Sequence, residues 1–271
     1  MIESAHLDAA GLATHYLTAG AAGEPLVLIH GGGAGADAIG NWTGAIAHFA
    51  SAYRVFAPDM PGFGQSAKPD DPGYGYTQDE RDQHMAAFVE RLGVGPVTIV
   101  GNSMGGLTAL GVARKQPELV ARLVLMGSAG VPVPPSPQLA TIMNYDFTKQ
   151  GMARIVDALT GPNFIAPEGM IAYRHRISVE PATRAAYTRI TGWNKARGGL
   201  QISEADIAAV TCPTLVVSGK EDRVVPVTCA YRFLDLNPQS WGVIMPDCGH
   251  WPMIEHPQAF AEIVDQFVRR H

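Results

Sequence analysis

Val97-Thr98-Ile99-Val100-Gly101-Asn102-Ser103-Met104-Gly105-Gly106-Leu107-Thr108 is the stretch on which the fold turns. A short β-branched run leads straight into G-x-S-x-G, Gly101 to Gly105. A helical pattern follows over Gly106–Arg114. A strand that reverses sharply into a helix leaves no room for side chains on both flanks of the turn, hence glycine on either side of the serine. The serine is lifted to the carboxyl end of the strand, at a helix N-terminus whose dipole favours an anion. A plain strand–helix turn with a chance serine is the competing reading. The motif has the flanking strand and helix that a nucleophile turn requires.

On either side of this unit, apolar runs alternate with longer mixed segments, the pattern of parallel strands with crossover helices. Leu26–His30, Tyr53–Ala57, Leu123–Met126, Thr214–Val217 and Gly242–Met245 read as further strands. Continuous runs of this length suit strands covered on both faces. Residues 131–205 break the rhythm. Pro132, Pro134, Pro135 and Pro137 make a stiff opening connector. Helical patterns such as Met152–Leu159 follow, without a strand. The expected architecture is an α/β-hydrolase fold, with a mostly parallel central sheet flanked by helices. Residues 1–130 and 206–271 form its core. Residues 131–205 form a helical cap over the carboxyl ends of the strands, where open α/β sheets bind ligands.

A serine hydroxyl needs a base, and the base needs an orienting group. In this fold the chain order is nucleophile, acid, histidine. Asp222 follows the strand at Thr214, and His250 follows the strand at Gly242, so both fall on the same sheet edge as Ser103. Glu221 is the rival acid. The anion formed by attack on a carbonyl needs preorganised donors. The backbone N–H of Met104 is one. The other is expected from His30-Gly31-Gly32-Gly33, specifically Gly32. That loop completes no nucleotide-binding glycine motif.

Composition narrows the function classes. The chain has 271 residues, 46% hydrophobic and 17% charged, with net charge −5. This suits a single α/β domain with an insertion, and no basic stripe invites nucleic acid. No apolar run is long enough to span a bilayer, and the first residues carry no secretory pattern. A cytoplasmic location is expected. Cys212, Cys229 and Cys248 are too scattered for a disulfide framework or a zinc site, and H-E-x-x-H is absent. Neither a metal nor an organic cofactor is expected. The expected partner is a small-molecule substrate, without nucleic acid or membrane, and the composition is compatible with a homo-oligomer.

His30-Gly31-Gly32-Gly33-Ala34-Gly35, Asn41-Trp42, Asp59-Met60-Pro61-Gly62-Phe63-Gly64, Gly101–Gly106 and Cys248-Gly249-His250-Trp251 together resemble the meta-cleavage product hydrolases. These carbon–carbon hydrolases act in bacterial degradation of aromatic compounds. The resemblance runs over nearly the whole chain. It implies a 2-hydroxy-6-oxo-hexa-2,4-dienoate substrate with a variable group on C6. It further implies a polar half-site for the carboxylate end, built from Gly33, Asn41, Asn102, Trp251 and a cap arginine. Arg174 is the choice for that arginine and Arg176 its rival, among Arg154, Arg184, Arg189 and Arg197. The products would be 2-hydroxypenta-2,4-dienoate and a carboxylic acid. Covalent attack by Ser103 and activation of a water by it both satisfy the pattern. Met143, Phe147, Phe164 and Met170 are candidates for the apolar half of the pocket. A carboxylesterase or lactonase would use the same triad, and a non-catalytic receptor of this fold is the alternative from another class. Cys248 is expected to be a small core residue, and Asp59 to support its loop.

Overall fold

The apolar runs become the middle of an eight-stranded sheet in the computed structural model, which describes all 271 residues. In chain order the elements are β1 (Glu3–Ala9), β2 (Leu12–Ala19), β3 (Pro25–Ile29), α1 (Ala38–Phe49), β4 (Arg54–Pro58), α2 (Gln78–Leu92), β5 (Val97–Asn102), α3 (Met104–Lys115) and β6 (Val120–Met126). Then come α4 (Pro137–Met143), α5 (Lys149–Leu159), α6 (Met170–Ser178), α7 (Pro181–Ala196), α8 (Glu204–Ala208), β7 (Thr214–Gly219), α9 (Val227–Leu236), β8 (Ser240–Met245), α10 (Pro252–Glu255) and α11 (Pro257–Val268). The sheet order is β1-β2-β4-β3-β5-β6-β7-β8. Strands β3 to β8 are parallel, and β2 pairs antiparallel with both β1 and β4. Every residue of β3, β5 and β7 is buried, as expected for strands with helices on both faces.

Two strands escape the sequence reading. β1 and β2 form a hairpin whose turn is Ala10-Gly11, both at positive φ. A two-residue loop with that geometry matches the twist of a hairpin. Glu3-Ser4-Ala5-His6-Leu7-Asp8 alternates across a partly solvated edge, so it shows no apolar run. At the other edge β8 is half exposed, with Trp241 43% accessible, rather than covered on both faces.

Helices α4 to α8 fill the interval between β6 and β7, and no strand interrupts them. Ser136 caps α4 by accepting from Leu139 N, and Thr148 caps α5 from Gly151 N. The last proline of the connector, Pro137, opens α4, where its missing N–H costs nothing. The insertion leaves and returns at one point: Gly130 N donates to Leu200 O, and Ile202 N to Gly130 O. A boundary at residue 205 would cut α8, which packs on α3 and α9 of the core, so the cap helices end with α7 at Ala196.

Candidate active site

Ser103 joins β5 to α3 at φ 55° and ψ −118°, a conformation that costs a non-glycine residue of order 1–3 kcal/mol. The surroundings enforce it. Ser103 N donates to Met126 O, and Ser103 O accepts from Gly106, Leu107 and Ala129 amides. A Cβ on Gly101 would meet Gly105 O at 2.4 Å, and one on Gly105 would meet His30 O at 2.4 Å. The turn is therefore closed to other residues by backbone on both sides.

His250 Nδ1 lies 2.7 Å from Asp222 Oδ2, both groups buried. The carboxylate is held on its other side by Val224 N and Val225 N, each 2.8 Å from Oδ1. An acceptor so fixed makes Nδ1 the protonated nitrogen and leaves Nε2 basic. Glu221 instead accepts from Cys248 N, so Asp222 is the acid that meets the histidine. No hydrogen bond joins Ser103 Oγ to His250, although both line one cavity. Contacts of this kind tighten when substrate fills a site. Gly127, at φ 49°, lies under the pair: a Cβ there would be 2.9 Å from His250 Nδ1 and 3.2 Å from Asp222 Oδ2. The histidine loop is held by Glu255, which accepts from Gly249 N, Trp251 N and, on the cap, Gly161 N. Sequence reasoning passed over both residues. A glycine immediately after a strand was the only signal for the first.

Gly32 and Met104 are neighbours: a Cβ on Gly32 would sit 2.7 Å from Met104 Sδ. Met104 opens α3, so its amide has no intrahelical acceptor, and Gly32 N donates to no protein acceptor. The glycine loop is fixed by buried His30. Its Nδ1 donates to Gly31 O, Nε2 accepts from Met60 N, and burial lowers its pKa, so the ring is neutral. Asp59 accepts from His15, Ala38 and Gln65 and ties three segments beside it. Cys248 is fully buried.

Of the cap arginines only Arg174 is buried, 1% accessible. Its Nη1 and Nη2 donate to Asn41 Oδ1 at 3.1 and 3.2 Å, and its guanidinium stacks 4.4 Å over Trp251. No carboxylate lies within ion-pair distance, and Arg174 Nε, Asn41 Nδ2 and Asn102 Oδ1 are enclosed without partners. Burial pulls the Arg174 pKa down to about 10, still a cation at neutral pH. Arg176 is exposed and stacks on Tyr173. Next door, Tyr173 OH donates to Asp37 Oδ2 at 2.5 Å, and Asp37 caps α1, so α6 is fastened to the core at two successive residues. Asn102 spends Nδ2 on Met126 O and His250 O, joining the nucleophile turn to the histidine loop.

Two cavities meet at Ser103. One, about 90 Å³, is lined by Gly31, Gly32, Gly33, Asn41, Asn102, Met104, Arg174, His250 and Trp251. The other, about 280 Å³, is walled by Ala129, Val131, Val133, Leu139, Met143, Val224 and Val225. Ser103, Leu139, Met143, Asn194, Leu200 and Val224 belong to both. Cap residues thus lie over the serine. Of the four apolar candidates, only Met143 lines the space. Phe147 packs on Tyr145 and Tyr187, and Phe164 and Met170 face elsewhere, because helix facing in the cap follows from tertiary docking. A Cβ on Gly33 would meet nothing within 4 Å.

This arrangement supplies a nucleophile, a base, an oriented acid and free amides beside an unpaired buried cation. Residues 24–257 match the family model of the α/β-hydrolase fold. Over 273 residues the chain is 50% identical to a 2-hydroxy-6-oxo-6-(2'-aminophenyl)hexa-2,4-dienoic acid hydrolase of Metapseudomonas resinovorans, spanning 99% of this chain and 93% of that one. It is 35% identical to a 2-hydroxymuconate semialdehyde hydrolase of Pseudomonas sp. (strain CF600), spanning 96% and 92%. A solved serine hydrolase involved in carbazole degradation superposes with a TM-score of 0.92 at 47% identity, over 100% of both chains. The chain belongs to the α/β-hydrolase family and, within it, to the meta-cleavage product hydrolases.

Proposed function

We propose that this protein hydrolyses the C5–C6 bond of a 2-hydroxy-6-oxo-hexa-2,4-dienoate carrying an aryl group on C6. One observation carries the reading: a buried arginine without a carboxylate partner shares a cavity with the nucleophile. A desolvated cation is costly unless an anion joins it. The substrate carboxylate supplies that anion, and the planar guanidinium matches it. With the carboxylate at Arg174, the C6 carbonyl reaches Ser103 and the aryl group enters the apolar cavity. That cavity has room for a ring, and a relative acts on a substrate bearing one.

Ketonisation comes first. The 2-hydroxyl gives up its proton and C5 gains one, with His250 Nε2 as the carrier. This places a carbonyl at C2, conjugated with C3=C4. Ser103 Oγ then attacks C6 as its proton passes to His250 Nε2, with Asp222 stabilising the imidazolium. The amides of Gly32 and Met104 hold the oxyanion. When the tetrahedral centre collapses, the C5–C6 electron pair moves into the enone, and the departing fragment takes up a proton as 2-hydroxypenta-2,4-dienoate. Water, deprotonated by His250, releases the carboxylic acid from Ser103.

The test is turnover of 6-aryl dienoates beside simple esters, followed by loss of dienolate absorbance. Ester cleavage outrunning every dienoate would refute the reading. We place the reaction in the cytoplasm, supported by three free cysteines, with the small-molecule substrate as the partner. No helix is long and apolar enough to cross a membrane.

A further inference from the structure

We propose that Ser4 is a second nucleophilic serine, activated by buried His15 and Asp59 and acylated by activated aryl esters. The site lies at the β1 edge of the sheet and does not depend on the dienoate reading. Ser4 Oγ is 2.7 Å from His15 Nε2, and His15 Nδ1 is 2.7 Å from Asp59 Oδ2. Hydroxyl, imidazole and carboxylate follow in the order of Ser103, His250 and Asp222, with the same 2.7 Å between ring and acid.

Strand register brings the three together. In the β1–β2 hairpin His6 faces His15 and Ser4 faces Leu17, so Ser4 and His15 are diagonal neighbours on one face of the ribbon. Strand β4 ends at Pro58 opposite Tyr16, which delivers Asp59 to the level of His15. The backbone of His15 is held on both sides: its N–H donates to Ser66 Oγ, and its carbonyl accepts from Asp59 N. The carboxylate also accepts from Ala38 N at 2.6 Å and Gln65 N at 2.8 Å. Burial pushes the Asp59 carboxyl up, but the hydrogen bonds from His15, Gln65 and Ala38 hold it below its usual range, so it is an anion. An acceptor so fixed keeps the proton on His15 Nδ1, leaves Nε2 as a base, and makes the Ser4 hydroxyl the donor to it.

A purely structural tie between the hairpin and the Asp59 loop is complete at Nδ1. The bond at Nε2 joins no further segment, since Ser4 is already paired to β2 through its strand. Exposure is graded as a nucleophile needs: the His15 and Asp59 side chains are 0% and 1% accessible, whereas Ser4 is exposed. An electrophile therefore reaches the hydroxyl but not the base. Ser4 Oγ attacks the ester carbonyl as its proton passes to His15 Nε2. The bond from the carbonyl carbon to the aryl oxygen breaks, the aryloxide takes the proton from Nε2 and departs as a phenol, and the acyl group stays on Ser4. An open strand offers no shaped pocket, so the site selects by leaving group, which is why the substrates are activated esters.

The experiment treats the Ser103→Ala protein with p-nitrophenyl acetate and locates acetyl groups by peptide mass spectrometry. Ser203 is the internal control, an exposed serine whose hydroxyl donates to the Asp206 carboxylate without an imidazole. Acetyl-Ser4 should exceed acetyl-Ser203 by about a hundredfold, the lower end of what a positioned general base contributes. In urea sufficient to unfold the chain the two serines should label equally, because His15 no longer stands beside Ser4. His15→Gln should bring the folded protein to the same equality; if that variant does not fold, the comparison with and without urea decides alone. Equal labelling of the two serines in the folded Ser103→Ala protein overturns the assignment, and so does a preference for Ser4 that survives urea or His15→Gln.

Discussion

Arg174→Met removes the charge from a buried guanidinium while keeping a flexible apolar stem. Its effects on activity and on stability should separate, and the structure gives the sizes. Burial lowers the Arg174 pKa from 12.5 to about 10, which places a penalty of about 3 kcal/mol on its charge in the free enzyme. Methionine is free of that penalty. Against this, Asn41 Oδ1 loses both of its donors, which costs about 1–3 kcal/mol in a buried site. The terms nearly cancel, so unfolding free energy should change by no more than about 2 kcal/mol in either direction. Catalysis has no such compensation. Deleting one side of a buried charge-assisted contact costs about 2–5 kcal/mol, and 1.4 kcal/mol is a decade. Dienoate kcat/KM should fall by roughly 30-fold to several thousandfold. The assay measures kcat/KM on a 6-phenyl dienoate and on a small neutral ester, beside urea denaturation of both proteins. The ester has no carboxylate to hold, so its turnover should fall far less. Equal losses on the two substrates would refute Arg174 as the carboxylate clamp. If Arg176→Met gave the selective loss instead, the clamp would be the exposed neighbour.

Three further outcomes follow from the geometry. Ser103→Ala should lower dienoate turnover by several orders of magnitude, with an unchanged circular dichroism spectrum, because nucleophile and base act as a unit; a variant with a tenth of wild-type activity would remove Ser103 from the mechanism. Gly127→Ala should displace the imidazole by a few tenths of an ångström, given the 2.9 Å approach to His250 Nδ1, and lower kcat roughly tenfold to a hundredfold. The left-handed backbone there should also cost about 1–2 kcal/mol of stability; a kcat within twofold of wild type would show the pair tolerates the shift. Burial depresses the His84 pKa to about 4. Below about pH 6.5 the unfolded chain therefore takes a proton that the folded chain refuses, so stability should fall by about 2 kcal/mol between pH 7 and pH 5. Urea midpoints of wild type and His84→Gln at the two pH values check this, and parallel losses in both proteins would exclude His84 as the source.

The fold was legible because the central strands β3, β5, β6 and β7 are covered on both faces. Burial on both sides forces continuous apolar runs such as Leu26–Ile29 and Leu123–Met126, which stand out in a linear reading. The hairpin of β1 and β2 was not legible in that way. Its strands alternate at a solvated edge, and the clue was local: two residues, Ala10-Gly11, between alternating segments. The nucleophile turn was legible for a steric reason, since Gly101 and Gly105 have backbone where a Cβ would go.

By itself the sequence determined the chemistry-bearing loops. Ser103, Asp222 and His250 each follow a strand of one parallel sheet, and parallel strands put their carboxyl ends on one edge. Only the tertiary structure decided what the cap does. Arg154, Arg174, Arg176, Arg184, Arg189 and Arg197 are alike in sequence, but docking of α6 on α1 buries Arg174 alone, between Asn41 and Trp251. The same docking turned Phe147 away from the cavity and left Met143 in it. Helix periodicity says which residues share a face. What that face meets depends on contacts between segments distant in the chain, and no local pattern encodes them.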